Sequence, residues 1–158
     1  MPAWSHLHPA VIHFPIVLLL LVPPLLALGL LWPGQRVGLH ACALGLLLLG
    51  TALAFLAVVT GLAVPLPAAP STELLDTLRA HERLAKATLL TFSVLALAQG
   101  LLQALTSLLR TRFSHGLVLI LQVAWLLADA AATMPLLCTA HLGGRLVHEL
   151  DIHGQTRR

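Results

Sequence analysis

Nine histidines punctuate this chain of 158 residues, and five of them should meet at one end of it once the chain is folded back and forth. His8 and His13 stand in LHPAVIHFPI, at the start of the first apolar run. His81 heads the third run, in AHERLA, and His141 and His148 follow the last. Imidazole is the commonest metal ligand among side chains, one nitrogen offering a lone pair while the other carries a proton. Two neutral imidazoles on opposite sides of a porphyrin, supplied by facing helices of a bundle, make a low-spin haem b. Three or four closer together make a zinc or copper site. The third option is plainer: histidines that hydrogen-bond at a membrane interface and hold structure.

The elements that must position them are written in the composition. Hydrophobic residues make up 58% of the chain and charged ones 9%, with mean hydropathy +0.93. That is far from ordinary soluble composition. A spanning helix needs about 20 mainly apolar residues, and four stretches qualify: Ala10 to Trp32, Val37 to Val64, Ala87 to Leu109 and Gly116 to Leu137. In lipid each must satisfy its own backbone hydrogen bonds, so helices are expected. The reading is an all-α membrane protein, one four-helix transmembrane domain over 1–158, with helices at about 10–32, 37–64, 84–109 and 113–139. The first run should stay in place rather than act as a cleaved signal peptide, because no Lys or Arg precedes Arg36 and the run is long. Pro23-Pro24 in its middle predicts a kink or a short unwound turn.

Two kinds of connection divide the bundle. Pro33-Gly34-Gln35-Arg36 and Arg110 to Ser114 are short, so each joins an antiparallel hairpin. Between the hairpins runs a longer linker, Pro65 to Arg83, with Pro65, Pro67 and Pro70. Within it, Ser71-Thr72-Glu73 reads as the cap of a short amphipathic segment leading to His81. Four crossings put both termini, this linker and the histidine cluster on one face, with Arg36, Arg110 and Arg112 on the other. The histidine face carries Arg79, Arg83, Lys86, Arg145, Arg157 and Arg158, so raw count and density of basic residues point opposite ways. The lean is toward a bacterial inner membrane with the histidines extracytoplasmic. No basic patch interleaved with aromatics supports nucleic-acid binding.

Several chemistries are excluded by what is missing. Cys42 and Cys138 should lie at opposite membrane faces, about 25 Å apart in depth, too far for a disulfide. There is no C-x-x-C-H for covalent haem, no C-x-x-C knuckle, no H-E-x-x-H zinc helix and no glycine-rich phosphate loop.

Among the histidines, His13 and His81 start helices at the same face and could approach across the bundle, with His8 and His141 as a second tier. On a continuous helix His8 and His13 would differ by about 140° and not share a face. His141 and His148 would share one, being seven apart, but Gly143-Gly144 suggests a break between them. His40 and His115, at the starts of the second and fourth helices, form a smaller set at the opposite end; they would hold a second haem or simply sit at the interface beside Arg36 and Arg112. His6 and His153 fall in the chain's ends. Deeper in the membrane, Gln99 and Gln103 share a face of the third helix, as do Gln122 and Asp129 of the fourth. Polar pairing between these helices would contribute about 0.6 kcal/mol per bond.

LHPAVIHFPIVLL, AHERLA and HLGGRLV together resemble the bacterial membrane family called domain of unknown function 2231, which opens with HP-x-x-x-HFP-I and closes with GG-x-LV. The resemblance covers essentially the whole chain and falls on His8, Pro9, His13, Phe14, Pro15, His81, Gly143 and Gly144. It departs at His148, where an aromatic is usual. Family members are often joined to c-type cytochrome or Rieske-like domains, which implies respiratory electron transfer; this chain carries no such domain.

The resulting expectation is a membrane-embedded b-type haem protein or subunit of a respiratory chain, more an electron carrier than a stand-alone enzyme. Its partners would be the lipid bilayer, other membrane subunits, a c-type cytochrome or Rieske-like protein, and quinone. One haem b would use His13 and His81, with His8, His141, His148, His40 and His115 as further candidates. The alternatives are a non-catalytic accessory subunit of a larger membrane complex, and a copper- or zinc-binding membrane protein.

Overall fold

A computed structural model describes residues 8, 11–108 and 114–150, with the side chains of 106, 107 and 115 left aside. The described residues hold no strand. Four long helices carry the fold: α1 His13–Leu31, α2 Arg36–Leu62, α3 Thr72–Leu108 and α4 His115–His148. A single 3-10 turn, Pro33–Gln35, joins α1 to α2. All four are long and apolar enough to cross a membrane.

The helices pack as a square. α1 lies against α2, α3 against α4, and the two hairpins meet through α1–α4 and α2–α3. The diagonals, α1 with α3 and α2 with α4, do not touch among the described residues. The centre is filled by Leu19, Val22 and Leu26 of α1, Ala43 and Leu47 of α2, Phe92 and Ala96 of α3, and Ala132 and Leu136 of α4. Gly50 lets α1 come close: a Cβ there would sit 2.8 Å from Leu19 Cδ2. The outward faces carry Leu, Ile and Phe side chains, such as Phe55, Leu90, Leu97 and Ile120, which is what hydrocarbon surroundings require. Threonines on these helices return their hydroxyls to their own backbone, Thr51 to Leu47 O and Thr91 to Ala87 O.

Two boundaries differ from the expectation. α3 begins at Thr72, not near 84, because the amphipathic segment and the apolar run are one helix of 37 residues. Ser71 Oγ accepts from Leu74 N at 3.2 Å, so the expected cap starts the spanning helix itself. α4 runs unbroken through Gly143-Gly144 to His148, ten residues or so past the apolar stretch. At 1.5 Å per residue α3 is about 55 Å long, against about 30 Å of hydrocarbon. The excess of α3 and α4 lies at one end and pairs there: Leu74 packs on Leu146, and Glu73 bridges to Arg145 at 3.3 Å. Packing on α3 offsets the helix-weakening glycines of α4. In α1 helix continues through Pro23-Pro24 with no unwound turn, since the lost ladder bonds number only two and neighbouring turns hold the segment.

Candidate functional site

At the end where α3 and α4 overhang, a cavity of about 570 Å³ opens between the hairpins. His8, His13, His81 and His148 line it, with Gly61 and Gly143 in its wall. So one helical turn before α1, the first residue of α1, the third turn of α3 and the last residue of α4 converge. Even-numbered crossing explains the convergence, and the diagonal separation of α1 and α3 leaves the space.

His81 is half-buried, and its Nδ1 lies 3.0 Å from the carbonyl oxygen of Thr139 on α4. A carbonyl only accepts, so Nδ1 carries the proton and Nε2 is the lone-pair nitrogen of the neutral ring. Thr139 is itself tied down, its hydroxyl donating to Pro135 O at 2.8 Å and meeting Thr88 Oγ1 at 3.3 Å. The ring rests against Gly143, where a Cβ would come within 3.2 Å of Cε1.

His8 is arranged in the same way within the other hairpin. Its backbone oxygen accepts from Ile12 N, so it belongs to a helical turn ahead of α1. Nδ1 lies 3.2 Å from Thr60 Oγ1 of α2. Thr60 Oγ1 also lies 2.9 Å from Leu56 O and 3.1 Å from Ala57 O, and with its one hydroxyl proton on either carbonyl His8 Nδ1 is the donor and Nε2 holds the lone pair. The ring lies on Gly61, where a Cβ would meet Cε1 at 3.0 Å.

The remaining candidates fall differently. His13 is exposed, on the cavity's rim, and shares the cavity with His8 although an ideal helix would set them apart. His148 is also exposed and lines the cavity; His141 is exposed and does not. His40 is at the far end, half-buried against Gly29, and lines a second cavity of about 280 Å³. His115 opens α4, but its side chain, like His6, Pro9 and His153, lies outside the described residues. Cys42 and Cys138 are exposed and free. Among the described residues, no three His, Cys, Asp or Glu side chains come close enough to hold one metal ion.

Sequence reasoning did not single out Thr60, Gly61 or Thr139. A signal existed: Thr60-Gly61 and Thr139 with Gly143 lie near the ends of the second and fourth apolar runs, at the same face as His8 and His81. Between α3 and α4 the expected polar contact is present, Gln99 Nε2 donating to Asp129 Oδ2 at 2.6 Å.

No curated protein and no solved structure matches the chain. The profile of one family, described as "Predicted membrane protein (DUF2231)", matches residues 5–156. With nearly the whole chain covered and four helices fit to cross a membrane, the protein belongs to this membrane-protein family.

Proposed function

We propose that the protein is a b-type haem protein or subunit of membrane electron transfer, with His8 and His81 as the residues that would hold the haem. One observation carries the reading: two imidazoles, one from each hairpin, line one cavity, and each sets its Nδ1 against an oxygen of the opposite helix of its own hairpin. A hydrogen bond of this kind fixes tautomer and ring plane and makes the other nitrogen a better donor. Such a donor set fits a haem, which needs two nitrogens, better than zinc or copper, which want three or four ligands converging. His8 displaces His13 as the opposite number of His81 because its ring is half-buried, while His13 lies exposed on the rim. The group, when bound, would supply reversible one-electron exchange, and the chain's part is to hold and insulate it.

Ile12, Pro15, Ile16, Leu89 and Leu136 line the same cavity and keep water from the ligand nitrogens. The cavity lies within the range of sites that hold cofactors, about 300–1,000 Å³. Glu82 and Lys86 line it as well, and at the same end the α3–α4 overhang carries Glu73, Arg145 and Glu149, a charged surface suited to a water-soluble electron partner of c-type or Rieske-like class. Membrane subunits and quinone are the partners within the bilayer, and the extracytoplasmic side of a bacterial inner membrane is the setting this reading favours.

The test is an absorption spectrum of detergent-purified protein after haem-replete expression. The expected result is a Soret band with the α band of two-imidazole ligation. His8→Ala and His81→Ala should each remove that signature, and His153→Ala should keep it. Should His13→Ala remove it while His8→Ala does not, the pair is His13 and His81. No Soret band in the unmodified protein ends the haem reading and leaves the accessory-subunit alternative.

A further inference from the structure

The second cavity lies at the opposite end of the bundle, between the start of α2, the latter part of α3 and the first turns of α4. Its wall is unusually polar for membrane depth: His40, Gln99, Gln103 and Gln122, with Trp125 and a few leucines. Gln122 is only 7% exposed, and neither its Oε1 nor His40 Nε2 has a hydrogen-bond partner among the described residues. Buried polar atoms are left in that condition rarely, and a roomy polar cavity is where water satisfies them. A volume of about 280 Å³ holds several waters, each occupying roughly 30 Å³ in the liquid.

Asp129 stands beside this cavity. It is fully buried, and Gln99, a cavity-wall residue, donates to one of its oxygens while Oδ1 has no partner among the described residues. On α4 it follows Gln122 by seven residues, on the same face. Beyond it the path closes: Ala132 and Leu136 of α4, Ala96 and Phe92 of α3, and Val22 and Leu19 of α1 are all buried in the apolar core. No other charged side chain occurs on α1 between Phe14 and Leu31, on α2 between Val37 and Leu62, on α3 between Ala87 and Leu108, or on α4 between Gly116 and Ala140. Among the described residues, the titratable group facing the cavity and Asp129 is His40, with Arg36 at the start of α2. An ionisable group at such depth is costly and by default functional.

We infer that this cavity is a water-filled half-channel through which protons from the short-link face reach the Asp129 carboxyl and go no further. Hydronium in the cavity gives its proton to the carboxylate, leaving water and a carboxylic acid. No electron moves, and the inference stands whether or not the histidine cavity holds haem.

Infrared spectra of the full chain in liposomes, over a pH series and on mixing with heavy water, test it. A protonated-carboxyl C=O band that grows on acidification should be missing in Asp129→Asn and should move to lower wavenumber in heavy water. Gln122→Leu should slow that shift by about tenfold or more, equivalent to about 1.4 kcal/mol in the barrier. A band unchanged in Asp129→Asn, one that ignores heavy water, or an unslowed Gln122→Leu overturns the inference. A second measurement does not depend on that variant folding. With Cys42 and Cys138 replaced by Ser, Leu121→Cys should react with a charged, membrane-impermeant thiol reagent from the side that labels Gln35→Cys, and Ala132→Cys should not react. Reaction of Leu121→Cys from the other side, or none, equally overturns it.

Discussion

Gly143 and Gly144 are neighbours in α4, yet adding a methyl group to each should have opposite consequences. In a helix interior, Gly→Ala is worth about 1 kcal/mol, from the smaller loss of backbone entropy. At Gly144 nothing lies within 4 Å of the new Cβ, so the full gain should appear. At Gly143 the Cβ would be 3.2 Å from His81 Cε1 and 3.7 Å from Nδ1. Carbon atoms pack best at about 3.5–4.0 Å, so the ring must retreat by a few tenths of an ångström. Its bond to Thr139 O, now 3.0 Å, then reaches the edge of useful N–H···O distance. Losing that bond costs about 0.5–1.5 kcal/mol, and an off-rotamer ring about as much again. Net, Gly143→Ala should lie about 1–3 kcal/mol below Gly144→Ala, or several degrees of melting temperature at about 2–4 °C per kcal/mol. Thermal unfolding followed by far-ultraviolet circular dichroism reads the first effect, and haem content after reconstitution the second. Gly143→Ala should lose haem and Gly144→Ala should keep it. Equal melting temperatures and equal haem content in the two variants would refute both the contact and its role.

The same logic on α2 predicts that Gly50→Ala melts below Gly45→Ala by about 1–3 kcal/mol, since one Cβ meets Leu19 and the other meets nothing; the same dichroism melts check it. Gln99→Leu removes the donor to Asp129 and should cost about 1–3 kcal/mol in thermal stability, whereas Gln99→Leu with Asp129→Leu should recover most of it, because removing both partners strands no polar group. In a cysteine-free background, Ser71→Cys should label with a membrane-impermeant reagent from one side and Gln35→Cys only from the other. Labelling of both from one side would mean that α2 does not span, and the grouping of His8 with His81 would have no basis.

Much of this was legible in the residues. Apolar runs of spanning length, short hairpin links and an even number of crossings suffice to bring His8, His13 and His81 to one end. The Gln99–Asp129 contact was readable too, since polar side chains on two adjacent spans have few other places to go. Helix ends were not. The charges of 72–86 mark the edge of the hydrocarbon rather than the edge of the helix, and nothing in hydropathy separates the two. Gly143-Gly144 reads locally as a breaker; only the packing of Leu146 on Leu74 and the ring against Gly143 show that the first glycine is a close-approach residue in a continuous helix. The bracing of His81 was hidden for another reason: a backbone carbonyl, at Thr139, leaves no mark in side-chain pattern.

What joins these observations is that the two hairpins repeat one device without repeating a sequence. In each, the leading helix or the turn before it presents a histidine, and the trailing helix returns an oxygen to Nδ1 and a bare backbone to the ring. Within a hairpin this device is complete, so either half could position its own ring. Neither half makes the cavity, which lies at the seam where α1 meets α4 and α2 meets α3. A ligand gripped by one nitrogen from each half therefore also ties the halves together, and binding must stabilise the docked pair by mass action. Haem-loaded protein should accordingly melt above the haem-free form, and the increment should vanish in His8→Ala and in His81→Ala alike, since a single remaining nitrogen bridges nothing. An increment that survives in either variant would show a ligand held by one hairpin, and the symmetry of the two braces would then be a property of the fold alone.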